Sequence, residues 1–353
     1  MKHILLTTLL ALGANSALAQ TEVAPFVPGS TLDGVNYFMP RTAFRIVVET
    51  EKTVVTPGEL NKYAFRYLRL NDVPVESTTS YAIKSIKLEP YGIIDNKKAY
   101  NIKLKSKTVA PFVTLTHDGI LLSINKEAQQ PTQSAIPADV PAPSHVNPRD
   151  FMSPEVLAAG STAKMAELTA QEIYDIRESR NALVRGEADN LPKDGAQLQI
   201  MLNQLDKQSS ALEQLFKGTT SVSTHYTSFN VVPEAEGETI IMRFSQKVGI
   251  VDSDDLSGEP IYLTISPLAP LPARVEDAAT DKKKKQMDKG IYYNVPAREA
   301  IKIHDARNTY TQLEYPMGQF GTVEILSDLL FNKNATTKVS FFPENGGIEK
   351  IDQ

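Results

Sequence analysis

Apolar and polar residues alternate along two long stretches of the chain, and between those stretches the period changes to that of a helix. In the first stretch Ala43-Phe44-Arg45-Ile46-Val47-Val48-Glu49 is β-branched and partly alternating, which predicts a strand. Thr56-Pro57-Gly58-Glu59 predicts a turn, and Leu60, Tyr63, Ala64, Tyr67 and Leu68 share one face of a short helix. Strands follow at Tyr81–Leu88, Ala99–Leu104 and Phe112–Thr116, and Asp118-Gly119 turns the last of these into Ile120–Ile124 as a hairpin. Residues 20–125 therefore read as an α+β domain dominated by antiparallel pairing.

Helical spacing is clearest over 161–217. Ser161 or Thr162 caps a first helix whose inner stripe is Ala166, Ala170, Ile173, Ile176 and Leu183. Gly186–Lys193 connects, with Pro192 blocking continuation. Asp194 caps a second helix, where Leu198, Leu202, Leu205, Ser209, Leu212 and Phe216 repeat every 3.5 residues before Gly218 ends it. Arg180 falls on the inner stripe, to lie over Leu202 or to pair with Asp206. Upstream, 126–160 holds Pro131, Pro137, Pro141, Pro143 and Pro148 among Gln, Ser and Ala, an extended spacer with no core to bury.

The second alternating stretch fills 218–353, with strands at Ser221–Val232, Thr239–Phe244, Ile261–Ile265, Ala300–His304, Thr322–Leu326 and Lys338–Phe342. Asn345-Gly346-Gly347 turns into a last strand at Ile348–Ile351. The fold class is α+β and β-rich: two antiparallel β domains, the C-terminal one sandwich-like, bridged by an antiparallel helical hairpin. There is one internal echo. Gly34-Val35-Asn36-Tyr37-Phe38-Met39-Pro40 resembles Gly290-Ile291-Tyr292-Tyr293-Asn294-Val295-Pro296, each a strand with a proline-marked bend at an edge. It reads equally as two related β units or as convergence on one edge device.

The first nineteen residues change the picture. Met1-Lys2-His3, the apolar run Ile4–Leu12 and the small-residue ending Ala17-Leu18-Ala19 have the order of a cleavable signal peptide, leaving Gln20 as the mature N-terminus. The run falls short of the roughly 20 apolar residues that span a bilayer, and no later segment approaches a span. The expected location is exported, periplasmic or associated with the outer membrane. No cysteine occurs, so there is no lipid-anchor Cys, no disulfide and no thiolate metal site. A hydrophobic content of 41% supplies the core instead. The net charge is −5, and loss of Lys2 with the leader makes it about −6. A net anion argues against nucleic acid or an anionic membrane surface as the main partner. The basic run Lys282–Lys285 reads as a solvated loop.

No pattern of catalytic residues stands above chance. Ser161-x-x-Lys164 and Ser123-x-x-Lys126 match the serine–lysine spacing of acyl-serine enzymes, but the companion Ser-Asp-Asn and Lys-Thr-Gly elements are missing and Ser161 is better used as a cap. Beyond the leader the histidines His117, His145, His225 and His304 are isolated. The acidic loops Glu187-Ala188-Asp189-Asn190 with Asp194, and Asp252-Ser253-Asp254-Asp255, lack a full calcium-loop pattern, and their residues serve turns equally well. Without tryptophan, a sugar platform would fall to tyrosines such as Tyr292-Tyr293, Tyr310 and Tyr315, which also suit strand packing. No catalytic, cofactor-binding or metal residue is assigned, and no cofactor is implied.

Asp33-Gly34-Val35-Asn36-Tyr37-Phe38-Met39-Pro40-Arg41-Thr42-Ala43, with Glu51-Lys52-Thr53 and Thr56-Pro57-Gly58, resembles the opening of an uncharacterised family of exported Bacteroidetes proteins, domain of unknown function 4831. Glu172–Arg180 continuing to Gly186–Pro192, and Gln319-Phe320-Gly321, resemble the same family, so the match runs from about residue 33 to the C-terminus. The resemblance implies a Gram-negative envelope and supplies no catalytic residues.

Three functions remain in play. The first is a non-enzymatic envelope protein, an interaction or scaffold module whose hairpin is a spacer or docking surface. The second is a glycan-binding protein with tyrosine platforms on a sheet face. The third is a hydrolase with an inter-domain site, which a buried carboxylate pair or a Ser–His contact would favour.

Overall fold

A computed structural model of the chain describes residues 22–26, 34–103, 112–188, 192, 194–270, 290–327, 330 and 337–352. The expected signal peptide over 1–19, the basic run 282–285 and Asp189-Asn190 of the first acidic loop lie outside the described residues. Among the described residues three sheets form, and their ladders are antiparallel. The first runs β1 (Glu22–Pro25), β3 (Thr78–Lys103), β2 (Val35–Thr56), β6 (Thr219–Val231). The second runs β11 (Thr309–Ser327), β10 (Gly290–His304), β9 (Glu259–Pro267), β7 (Gly237–Ser245), β8 (Gly249–Val251). The third runs β13 (Ile348–Asp352), β12 (Lys338–Phe341), β5 (Leu121–Ile124), β4 (Val113–Leu115). The helices are α1 (Ala64–Leu68), α2 (Pro154–Leu157), α3 (Thr162–Arg185) and α4 (Gly195–Lys217). No described helix is long and apolar enough to cross a membrane.

The β-rich α+β class and the helical hairpin stand as expected. The division into residues 20–125 and 218–353 is not, however, a division between sheets. β6 pairs with β2 from Phe44↔Val231 to Thr56↔Thr219, and β12 pairs with β5 at Val339↔Ile124. The main core likewise lies between the halves: Phe44, Ile46 and Val48 of β2 pack against Ile261, Ile265, Ile301 and Met317 of the second sheet. The sandwich read into the C-terminal half alone is thus formed by both halves, because β2 alternates cleanly enough to need a partner face.

Prolines misled the strand boundaries. Two strands were expected across 81–104, yet β3 runs unbroken through Pro90. Proline removes a ladder donor, so it fits only where a strand has a neighbour on one side. That condition holds: β1 meets β3 no further than Tyr100, leaving Pro90 paired with Phe44 alone. Pro316-Met317-Gly318 hid the first half of β11 in the same way, on what is an outer strand.

The internal echo has a structural counterpart. β2 shifts register between Phe38 and Pro40, and β10 shifts between Val295 and Ala297, so each proline marks a bulge. Each lies where its strand has one ladder neighbour, since β6 joins β2 only from Phe44 and β9 joins β10 only from Glu299, with an isolated Phe38–Ile120 bridge on the other side of β2. The opening glycines match too. Gly34 (φ 140°) and Gly290 (φ 156°) face the carbonyls of Ile102 and Leu326, where a Cβ would come within 2.3 and 2.1 Å. Two long hairpins, β2–β3 and β10–β11, thus share one construction.

The C-terminal turn locks the two bulges together. Asn294 is fully buried, and its side-chain NH2 donates to the carbonyls of Pro40 (3.0 Å) and Asn345 (2.8 Å) while its backbone N–H donates to Gly346 (3.1 Å). Beside it Gln319 behaves like a strand: its Oε1 accepts from Thr42 N–H (2.8 Å) and its Nε2 donates to Thr42 C=O (2.9 Å). The Thr42 hydroxyl donates in turn to Glu344 C=O (3.0 Å). Asn294→Ala strands two buried carbonyls, and we expect it to lower unfolding free energy by about 2–4 kcal/mol. The urea midpoint at unchanged slope measures this, and a loss below about 0.5 kcal/mol would show the seam to be dispensable.

Candidate functional site

The proline-rich segment is not a free spacer. Residues 126–147 run as a strap over the outer face and edge of the first sheet. Odd-numbered β2 residues point to that face, and Arg45 is its hub. The Arg45 guanidinium donates through Nε to Glu89 Oε2 (3.0 Å), through Nη1 to Gln133 Oε1 (3.2 Å) and through Nη2 to Ser134 C=O (2.5 Å). Gln130 Nε2 adds a bond to Leu115 C=O (2.9 Å). Farther along, the strap leaves the sheet as a one-turn 3-10 helix at Pro148–Phe151 and then α2, where Met152 and Val156 are buried against Leu60, Ala64 and the hairpin. The expected 126–160 linker therefore does contribute to a core at its end, because Met152 and Val156 meet an apolar face that α1 alone leaves uncovered.

Beneath the strap lies a cavity of about 580 Å³, the size of a small-molecule site, lined among others by Arg45, Glu89, Tyr91, His117, Gln133 and Glu344. Its cation is already matched: Arg45 pairs with Glu89 and is three-way bonded. Desolvation raises the Tyr91 hydroxyl, with Arg45 opposing, so the phenol is protonated at neutral pH. Desolvation and then the Glu344 carboxylate push the neighbouring Tyr315 hydroxyl up to about 12. The cavity thus presents a paired cation and a protonated phenol beside the His117 ring and the Asp118 and Glu344 carboxylates.

At the sheet edge the strap completes a Ser–His–Asp relay. His225 Nδ1 lies 3.0 Å from Asp139 Oδ2, and His225 Nε2 lies 3.0 Å from Ser223 Oγ. Connectivity is that of a hydrolase triad, and it is the Ser–His contact named above as favouring a hydrolase. The surroundings are not. Acyl transfer needs N–H donors aimed at the developing oxyanion. Here the neighbouring N–H groups are engaged: Thr224 N–H donates to Val140 C=O (2.9 Å) and Tyr226 N–H to Asp139 Oδ1 (2.8 Å). Ser223 sits on a regular strand rather than a strained elbow. The relay fastens the strap. The Tyr226 N–H and then the His225 ring hold the Asp139 carboxyl below its usual range, as an anchoring carboxylate requires.

The other sequence candidates disperse. Ser161 caps α3 by accepting Lys164 N–H (3.2 Å), and the Lys164 amine turns to Glu167 (3.1 Å). Ser123 is buried and donates to Lys126 C=O, while the Lys126 amine reaches Ser340 (3.3 Å). His304 stacks on Tyr262 and bonds Thr264 (2.9 Å), and His145 bonds Ser221 (2.9 Å). Asp255 caps its own turn on Ser257 N–H (2.9 Å), and Asp194 caps α4 on Ala196 N–H (3.1 Å). Of the tyrosines, Tyr292 stacks on Tyr100 at 4.4 Å, Tyr310 donates to Asp305 (2.6 Å), Tyr315 meets Phe44 edge-on, and Tyr293 is half-buried beside the third sheet.

Two acids escaped sequence reading. Asp305 closes the β10–β11 turn; desolvation raises its pKa, but Tyr310 and the N–H groups of Arg307 and Asn308 outweigh that and bring it to about 2. Glu299 is the sharper case. It lies fully buried on the Ala297-Glu299-Ile301-Ile303 stripe of β10, and neither oxygen has a hydrogen-bond partner among the described residues. Desolvation, then the Glu236 charge, raise its pKa. An acid in an apolar period-two stripe was the available signal, missed because β10 was begun at Ala300.

These features define a β-rich α+β module whose outer sheet face is strapped and whose helices project as a hairpin. The chain belongs to the family described as domain of unknown function (DUF4831), whose profile matches residues 33–349. No curated protein and no solved structure matches it.

The buried Glu299 binds its proton more tightly folded than unfolded, so its contribution is full below the unfolded value near 4.3 and is lost as pH rises through the folded pKa. Glu299→Met should therefore gain on the parent chain as pH rises, by about 1–4 kcal/mol at pH 8 and far less at pH 4; equal melting shifts at both pH values would contradict the buried charge. Ser223→Ala should leave hydrolysis of activated esters unchanged from the parent chain, and a drop of tenfold or more would restore the hydrolase reading.

Proposed function

We propose that this chain is a non-enzymatic interaction module of the bacterial cell envelope, which docks a protein partner through the outer half of its helical hairpin. One observation carries the reading: burial along α4 is confined to its base. Ala211 is buried there, Leu212, Leu215 and Phe216 pack against Leu60, Ala64 and the start of α3, and Leu60 N–H donates to Leu215 C=O (2.7 Å). Toward the far end Val184, Ile200 and Met201 are 59%, 68% and 40% exposed. Helices of 24 and 23 residues extend about 35 Å, well beyond what their base buries.

Two ion pairs link the helices at mid-length and near the base. Arg177 donates to Glu213 Oε1 (2.7 Å) and Arg180 Nε to Asp206 (2.7 Å), the second of the two arrangements open for Arg180 in the sequence. A helical projection carrying exposed apolar residues toward its end has the form of a docking element. The glycan reading draws less support, since the rings of Tyr292, Tyr310 and Tyr315 are engaged with other side chains.

Mild cross-linking in the native envelope, followed by isolation of the tagged chain and mass spectrometry, tests the proposal. We expect one envelope protein in stoichiometric yield with the parent chain, and at least tenfold less with Ile200→Lys/Met201→Lys at unchanged melting temperature. Equal recovery with the variant, or no specific protein with the parent chain, overturns it.

A further inference from the structure

β6 is a free edge of the first sheet, and it lacks the usual guards. Its sequence Thr-Thr-Ser-Val-Ser-Thr-His-Tyr-Thr-Ser-Phe-Asn-Val carries no Lys, Arg, Asp, Glu or Pro over 13 residues. Edges of this length are ordinarily blunted by charge, proline or a bulge, because unpaired N–H and C=O groups template further pairing. Here the guard is supplied by the strap, and it is thin. Val140 and Thr224 exchange both backbone hydrogen bonds (2.9 Å each), and Asp139 takes the Tyr226 N–H. In an antiparallel ladder alternate residues turn both backbone groups to one side, so Val222, Ser228 and Asn230 point outward with Thr224. None of these three has an outward backbone partner among the described residues. Val140 itself is 56% exposed, and the remaining ties are the side-chain contacts His225–Asp139 and His145–Ser221.

We propose that the β6 edge is a strand-addition site held closed by the proline-rich strap, and that its occupant is β6 of a second copy of this chain. The Val140–Thr224 bridge is a doubly hydrogen-bonded antiparallel pair. Thr224 of a second copy, placed on a two-fold axis, reproduces the same two bonds. That register sets Val222 opposite Tyr226, Ser221 opposite Thr227, Thr220 opposite Ser228 and Ser223 opposite His225. These are β-branched–aromatic and hydroxyl pairs with no like charges facing, the combinations that stabilise neighbouring strands. The symmetry is the isologous kind that closes at two copies. An uncharged edge gives a charged foreign segment no electrostatic advantage, whereas its own sequence matches it along its length.

The chain has no cysteine, so Thr224→Cys introduces a single thiol at the two-fold axis. Hydrogen-bonded antiparallel partners have Cα atoms about 5.5 Å apart, within the reach of a disulfide. The strap is loosened by Asp139→Ala/Val140→Pro in the full chain. By sedimentation at matched concentrations, the parent chain should be monomeric and the loosened chain dimeric. Thr224→Cys should oxidise to a covalent dimer at least tenfold faster in the loosened chain than with the strap intact. Thr224→Pro in the loosened chain, which removes an outward N–H without disturbing β2, should restore the monomer. A loosened chain that stays monomeric, or a thiol at 224 that cross-links no faster than one introduced by Leu256→Cys on an exposed turn, overturns the proposal. If Val140→Pro prevents folding, Asp139→Ala/His145→Ala removes only side-chain ties and is read by the same two measurements.

Discussion

The fold depends on one buried amide. Asn294 sits where the bulge of β10 meets the bulge of β2, and its two side-chain hydrogens are divided between Pro40 and Asn345. A bulge leaves backbone groups without ladder partners, and burying them unmet costs about 1–3 kcal/mol each. The β2 bulge therefore gains from donors outside its own ladder. Asn294 supplies one to Pro40 and Gln319 another to Thr42, the latter substituting for a missing strand opposite Thr42. Because the C-terminal turn supplies Asn345 and Gly346 to the same cluster, the last residues of the chain are held to the first strand of the core. Phe342 and Gly347 bond across the same turn, which leads from β12, paired with β5, into β13.

Much of this was legible in parts and invisible in combination. The hairpin was readable because its stripe, its Ser161 and Asp194 caps and its Gly186 and Gly218 ends agree with one another. The Asp118-Gly119 turn was readable for the same reason, with Gly119 N–H donating to Thr116 C=O (3.0 Å). Strand lengths were not, because Pro40, Pro90, Pro296 and Pro316 mark breaks only if a strand has two neighbours, and neighbours are a tertiary property. The echo between 34–40 and 290–296 was visible as letters, but only the paired glycine-to-carbonyl approaches and matching bulges show it to be a shared construction. Of the stretches that resembled the family, Asp33–Ala43 and Gln319–Gly321 supply Pro40, Thr42 and Gln319 to the seam, while Glu172–Arg180 lies in the hairpin.

The functional surface was harder to see for a different reason. Asp139, Ser223 and His225 carry no motif spacing, since the strap that brings Asp139 to β6 reads as a linker. Proline-rich composition predicts extension correctly but says nothing about what an extended segment lies on. The Ser–His–Asp geometry also shows why connectivity is a weak guide to catalysis: the same three groups serve as a clasp when the adjacent N–H groups are already hydrogen-bonded.

Rigidity and exposure are partitioned in this molecule along the chain's own topology. The seam, the sandwich core and the base of the hairpin form a continuous buried body in which even Glu299 is enclosed at an electrostatic cost. Outside that body two elements are held by few bonds, the strap and the outer half of the hairpin. Local opening free energies scale with such contacts, so these elements should exchange amide hydrogens well before the seam does. The chain's most perturbed acids, Asp305 and Glu299, serve a turn and a packed strand, while the strap-covered β6 edge and the exposed Ile200 and Met201 of the hairpin lie at the surface of that body.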